Sequence, residues 1–364
     1  MKLLDADYCY SFPAVRGMQA GRPFYIATCP MRIIPKIFSF DETEVPPELR
    51  AQRTLNKMRI PEMVRYLLDN PEDYVFSALT ASIAVDIAFE EYPASHNLGT
   101  LRVPMDAQIL INDGQHRRKA IEQALQERPE LGQDNIPVLF FVDEGLKRSQ
   151  QMFADLNKHA IKPSPSLSTL YDHRDPSSEL ARHLARVTVP FIGLTEMERS
   201  SVSALSSKLF TLSSIKQATR SLLGKGPKDG YSTDEAALAV SYWENLYKHM
   251  PDWQMAMSKD ISPAHLRQEY VHAHAVGLHA LGLLGRSLIA HKPDTWIAEL
   301  AKIRDVDWRK TNPEWLRRTM SHGKLSKSIS AIRLTCNALK NIIQVPLTNE
   351  EVELEQQLVD EKNA

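Results

Sequence analysis

The sequence predicts an α+β protein in two parts: a mixed α/β domain over residues 1–165, then a mainly helical domain over 166–348, with an acidic tail over 349–364. Three observations predict it. At 364 residues the chain exceeds one ordinary core, since domains run to roughly 100–200 residues. Strand-like apolar runs concentrate in the first 145 residues, whereas helical spacing dominates from Ser166 onward. Between them Lys162-Pro163-Ser164-Pro165-Ser166 holds two prolines that break a helix.

In chain order, Phe24-Tyr25-Ile26-Ala27-Thr28 reads as a strand introduced by Gly21 and Pro23. Arg50 to Leu68 reads as a helix, with Leu55, Met58, Met63, Tyr66 and Leu67 on one face and Asn70-Pro71 as its stop. Tyr74–Leu79, Ala84–Ala88 and Ala107–Ile111 follow as short strands. Asn112-Asp113-Gly114 is a turn, His116–Gln126 a helix with Ala120, Ile121, Ala124 and Leu125 inward, and Ile136–Val142 a buried strand. Strand, glycine turn, helix and strand make a βαβ-like unit whose helix N-terminus faces whatever approaches the turn. Ser149–His159 is helical, and in the second half Ser200–Leu223, Asp234–Met250, Pro263–His291 and Ile329–Ile343 are the clearest helices. Val271–Ala290 is the most apolar stretch, but it carries three histidines and Arg286, so it reads as a buried helix and not a membrane span.

Composition narrows the function. With 43% hydrophobic and 24% charged residues the chain resembles an average globular protein, which excludes disordered and fibrous classes. Net charge is -1, so a nucleic-acid site must be a local patch. The 3 cysteines, Cys9, Cys29 and Cys336, are widely spaced, and no CxxC occurs. That supports neither a zinc ribbon nor a disulfide framework, and fits a reducing cytoplasm. The Met1–Tyr10 segment carries Asp5 and Asp7 and does not read as a signal peptide.

The richest segment is Ile109-Leu110-Ile111-Asn112-Asp113-Gly114-Gln115-His116-Arg117-Arg118-Lys119-Ala120. A glycine lets a ligand approach the backbone, and the amides and dipole of the following helix favour an anion. Arg117 and Arg118 can make forked bonds to phosphate, and His116 can donate to phosphate or move a proton. Asp113 fits either a helix cap or a ligand to a metal ion accompanying the phosphates. The structural alternative is a capped helix with a solvated basic face. The phosphate reading depends on an open bend whose cations are not already paired.

Asp113-Gly114-Gln115-His116-Arg117 resembles the signature of the DGQHR domain, itself similar to the nucleotide-binding domains of ParB-type partition proteins and sulfiredoxin. In those relatives a glycine and a short polar-basic run at a strand-to-helix turn bind nucleotide phosphates; Gly114 and His116-Arg117 match them. Gln115 falls where sulfiredoxin has its reactive cysteine, so sulfinic-acid repair is not carried over. Arg50–Arg53 through Ile60, Phe153–Ala160 and Lys162-Pro163-Ser164 extend the likeness. By family position Arg50, Arg53, Asn157 and Lys158 join Gly114, Gln115, His116, Arg117 and Arg118 as phosphate contacts, with Asp113 and His116 the catalytic candidates.

Asp307-Trp308, Asn312-Pro313-Glu314-Trp315, Gly323-Lys324 and Ser328 are similar to the DndB family of DNA sulfur modification proteins. That resemblance implies a ParB/sulfiredoxin-like domain followed by helices, and a DNA-binding repressor of the genes that place sulfur on the DNA backbone. The implied partners are the double-stranded promoter of those genes, other modification proteins and further copies of the chain, with no membrane. The alternative within the same system is an NTP-hydrolysing or DNA-nicking enzyme using the DGQHR site, with a nucleoside triphosphate and Mg as cofactor. A protein–protein adaptor is the third reading. The chain lacks a CxxC, an evident iron–sulfur ligand set and a Walker motif, so sulfur transfer and P-loop chemistry are not expected.

The window Ala301–Lys340 holds 10 Lys+Arg and 3 Asp+Glu, a surplus of +7. Arg309, Lys310, Arg317, Arg318, Lys324 and Lys327 are its centre, with Trp308 and Trp315 interleaved. Such a patch can neutralise DNA phosphates; the alternative is a solvated surface whose tryptophans belong to the core. The tail Glu350–Ala364 has 6 acidic residues and 1 basic, and can offset the patch as a frayed or solvated helix. Glu269, His272, His274 and His279 lack the spacing of a metal site and read as core or surface histidines.

Overall fold

A computed structural model of the chain describes residues 8–38, 57–83, 85, 87–142, 151–152, 155–156, 163–227, 229–321 and 324–363. It divides into two compact units, Met1–Ile161 and Lys162–Ala364. The fold is mixed: a seven-stranded sheet in the first unit, helices through the second.

The first unit runs β1 (Cys9–Gln19), β2 (Arg22–Pro30), α1 (Ile34–Ile37), α2 (Ile60–Asp69), β3 (Leu79–Ile83), β4 (Ala88–Tyr92), β5 (Ser95–Pro104), β6 (Ile109–Asp113), α3 (Gln115–Glu127) and β7 (Asn135–Val142). The sheet order is β4-β5-β1-β2-β7-β3-β6. Alternation fixes which face is buried: Phe12 and Ala14 of β1, Tyr25, Ala27 and Cys29 of β2, and Ile136, Val138 and Phe140 of β7 enter one core. Ala120, Ile121 and Ala124 of α3 and Ile60, Val64 and Leu67 of α2 close that core.

Two sequence expectations change. The strands either side of α3 do not form a parallel crossover. β3 lies between them, antiparallel to β6 and parallel to β7, so β6 and β7 run in opposite directions. Nor do residues 74–78 form a strand; β3 begins at Leu79. The segment is tied to α2 instead, because Val75 N donates to Tyr66 Oη at 2.8 Å and the Phe76 ring stacks on Tyr66 with centroids 6.0 Å apart. The other short strand begins at Ala88, and Ala84 lies outside the described residues. So does most of the expected 50–59 and 149–159 helical sequence, while Ile60–Asp69 is seen as α2.

The second unit runs α4 (Pro165–Tyr171), α5 (Pro176–Val187), β8 (Thr195–Glu196), β9 (Phe210–Thr211), α6 (Leu212–Leu223), α7 (Thr233–Tyr247), α8 (Pro251–Ser258), α9 (Pro263–Glu269), α10 (Ala275–His291), α11 (Trp296–Glu299), β10 (Met320–Ser321), β11 (Lys324–Leu325), α12 (Ile329–Ile343) and α13 (Asn349–Asn363). Polar residues set the helix starts. Ser164, Asp175, Thr211, Ser262 and Ser328 each accept from a first-turn amide, and Ser232 with Glu235 forms a capping box. Residues 200–209 are not helical, in keeping with serine side chains that compete for backbone bonds. Pro263–His291 breaks into α9 and α10 at Tyr270, which is extended and bridges to Arg309.

The core is aromatic, with Tyr242, Trp243, Trp253, Trp315, Phe191 and Phe210 fully buried. α10 lies at its centre, and Gly282 lets it touch α6; a Cβ there would sit 2.2 Å from Ala218 O. No described helix is long and apolar enough to cross a membrane.

Candidate functional site

The strand-to-helix bend of the first unit is built from β6, Gly114 and α3. Gly114 has φ +107°, a backbone state that L side chains rarely adopt, and it is buried. Leu79 of β3 packs directly over it, so that a Cβ at 114 would meet Leu79 Cδ2 at 2.4 Å. Asn112, one residue before the signature, is fully buried and accepts from Ser82 Oγ at 3.0 Å.

The cations of the signature face inward. Arg117 Nη2 donates to Asp113 Oδ2 at 2.7 Å and to Ala78 O at 3.0 Å. Arg118 is 8% exposed; it donates to Glu122 at 2.8 Å, to Pro35 O at 3.0 Å and to Phe38 O at 3.3 Å, clamping the end of α1. Lys119 shares Glu122 at 2.9 Å. His116 is half-buried on the first turn of α3. Gln115 is 6% exposed, and its Nε2 has no hydrogen-bond partner; the same holds for Nε of Arg117 and of Arg118. The bend is thus enclosed and its guanidiniums engaged. Nη2 of Arg117 is committed to Asp113 and Ala78 O, while its Nε is left without a partner. Sequence spacing did not disclose Ala78, Leu79, Pro35 and Phe38 as partners, because strand pairing and α1 bring them in from far along the chain. Arg50, Arg53, Asn157 and Lys158 lie outside the described residues.

The basic window of the second unit separates into paired and unpaired cations. Arg309 grips Asp307 through Nη2 at 2.6 Å and Nε at 2.9 Å, which holds the Asp307 carboxyl below the usual carboxylate range. Lys310 Nζ is bonded to Arg267 O and Gln268 O at the end of α9. Arg318 meets Glu314 at 3.1 Å and Glu355 of α13 at 2.5 Å. The acidic tail is therefore a helix with two docked carboxylates: Glu355 on Arg318, and Glu351 on the buried Lys340 at 2.6 Å. Arg317, Lys324 and Lys327 remain exposed around the β10–β11 hairpin, with no ion pair among the described residues. Trp308 and Trp315 stack on one another with centroids 5.3 Å apart and are buried, so they belong to the core and offer no face to a base.

The histidines are structural in geometry. His272 is 0% exposed; its Nε2 donates to Asp252 at 2.9 Å and its Nδ1 accepts from Trp253 Nε1 at 3.0 Å. Burial, only partly opposed by Asp252, lowers its pKa. His279 Nε2 lies 2.6 Å from Ser221 Oγ between α10 and α6. Among the described residues no three His, Cys, Asp or Glu side chains gather as a metal site.

Residues 12–346 match the family model described as DndB, DNA-sulfur modification-associated. The chain belongs to the DndB family. No curated protein and no solved structure matches it. The DndB match reaches from β1 to just beyond α12, so both the Gly114 bend and the basic hairpin fall inside it and α13 falls outside. Membership associates the chain with DNA sulfur modification. Within this chain the thiols of Cys29 and Cys336 are buried and pushed up to about 12, so both stay protonated and poorly nucleophilic at neutral pH.

Proposed function

We propose that this DndB-family chain is a DNA-binding regulator of DNA phosphorothioation: a repressor that acts on the promoter of the modification genes, as a homo-oligomer. The family match over residues 12–346 carries the reading. Unpaired cations on the β10–β11 hairpin support it, because charges not already satisfied within the fold are the ones that displace counterions from DNA. Arg317 and Lys324 are the backbone contacts of choice; Lys310 and Arg318 are engaged within the fold, and Arg309 is exposed but paired locally with Asp307.

Fluorescence anisotropy with promoter duplex, measured across a salt series, tests this. Wild type is expected to prefer the promoter over random duplex. Arg317→Ala/Lys324→Ala is expected to weaken both equally and to reduce the slope of log K against log salt by about 2, at roughly 0.9 per phosphate contact. No promoter preference, or an unchanged slope in the double variant, counts against the reading.

A second reading, NTP hydrolysis or DNA nicking at the DGQHR bend, rests on one observation: Gln115 Nε2, Arg117 Nε and Arg118 Nε are buried donors without acceptors at the start of α3. Buried donors of this kind call for an acceptor. A nucleoside triphosphate with Mg would supply acceptors there, with Asp113 released to the metal and His116 beside the phosphates. Phosphate release from ATP, CTP and GTP tests it. Activity that falls at least about tenfold in His116→Ala/Arg117→Ala supports catalysis at the bend, and equal rates remove it.

A further inference from the structure

The second unit contains a cavity of about 690 Å³ between the 200–209 loop, α9 and the start of α10. Small-molecule sites span about 300–1,000 Å³, so it accommodates a nucleotide-sized ligand. Its charged and imidazole side chains are all bases: His265, Arg267, His274 and Lys327, with no carboxylate in the lining. In a chain with 44 Lys+Arg against 45 Asp+Glu, that is a local segregation of charge.

Arg267 is the strongest single observation. It is 8% exposed, and its guanidinium donates to the carbonyls of Ser203, Ala204, Ser206 and Lys208. No carboxylate pairs with it among the described residues, and burial alone lowers its pKa. A permanent cation taken out of water ordinarily has an anionic partner. Behind it, Lys310 brings a second charge, 2.6 Å from Arg267 O. His274 responds to this field: burial first, then Lys310 and Arg267, hold it down at about 4, and it stays neutral while donating from Nε2 to Arg267 O at 2.7 Å. His265 and Lys327 stand exposed in the lining and make no side-chain bond among the described residues. Ala275, also in the lining, begins the first turn of α10, which has neither a side-chain cap nor an acidic residue. The remaining wall mixes hydroxyl and amide side chains, among them Ser200, Ser201, Ser262 and Gln268, with the apolar Val202 and Leu205, over a buried floor that includes Leu209 and Phe210.

We propose that this cavity binds a nucleotide, with phosphate held by Lys327, His265 and the first turn of α10 as the missing countercharge of Arg267, and with the base against Val202 and Leu205. The assignment does not depend on the repressor reading. Free nucleotides and nucleotides within DNA present the same chemistry, and two experimental arms separate them.

In the first arm, full-length protein is melted with AMP, GMP, CMP, UMP and dTMP. At least one is expected to raise the melting temperature by roughly 5 °C at about one hundred times its Kd. His265→Ala/Lys327→Ala, which removes only exposed side chains and is expected to melt as wild type without ligand, loses the rise. In the second arm, a short mixed-sequence duplex is titrated against wild type and His265→Ala, which leaves the hairpin cations in place. An approximately tenfold loss in that variant without any response to free nucleotide assigns the ligand to DNA. The proposal is overturned if no nucleotide shifts the melt and the duplex binds both proteins equally. It is overturned as well if the double variant keeps the rise, or if the rise disappears only in Arg117→Ala of the first unit.

Discussion

Gly114→Ala is expected to destabilise the first unit by about 2–5 kcal/mol. Two effects add. The left-handed backbone at φ +107° opposes any Cβ by roughly 1–2 kcal/mol. The new methyl also meets Leu79 Cδ2 at 2.4 Å in a packed core, and overpacking of that kind costs about 1–3 kcal/mol. Against a typical domain stability of about 5–15 kcal/mol this is a large fraction. Urea unfolding followed by circular dichroism measures it: the early transition should move to lower urea with its slope unchanged. Leu79→Ala in the same chain should make the loss less than additive, because it removes the atom the methyl strikes. An unshifted midpoint would refute this account of Gly114.

Acid is expected to loosen the second unit. His272, His274 and His279 all sit below the ordinary histidine pKa, with burial the largest cause for each. The unfolded chain therefore binds protons below about pH 6.5 that the folded chain refuses, and stability falls as pH falls through that window. With His274 held at about 4, its share alone is on the order of 2 kcal/mol by pH 5 and 3 kcal/mol by pH 4. At His272 a second proton has no place to go without breaking the bond from Trp253. All 5 tryptophans lie in this unit, so their fluorescence reports it selectively. The urea midpoint at pH 5 should lie clearly below that at pH 7.5, and His274→Gln should flatten the difference. Equal midpoints at the two values would refute the assignment.

These two results mark what the sequence disclosed and what it withheld. The strand-like run of β2, the apolar run of β7 and the helical spacing in α3 were legible, because residue type and period report directly on burial. The glycine bend was legible from Asp113-Gly114 followed by a helical pattern. Sheet order was not, since nothing local tells β3 to insert between β6 and β7. Charge was legible as a count but not as a state. Arg118 and Arg309 look alike in the sequence, yet one clamps α1 and the other is folded onto Asp307. The cavity around Arg267 gave no linear signal at all: its lining comes from the 200–214, 262–275 and 327 regions, which only packing unites.

The position of β7 has a consequence for synthesis. Although last of the seven in sequence, it occupies the interior, joined to β2 on one side and β3 on the other. Until the ribosome has released residues 135–142, the ribbon β4-β5-β1-β2 and the pair β3-β6 share no backbone bond and remain two fragments with raw edges. A nascent chain stalled before Asn135 thus leaves the edges of β2 and β3 unpaired, and the arrival of β7 joins them into one sheet.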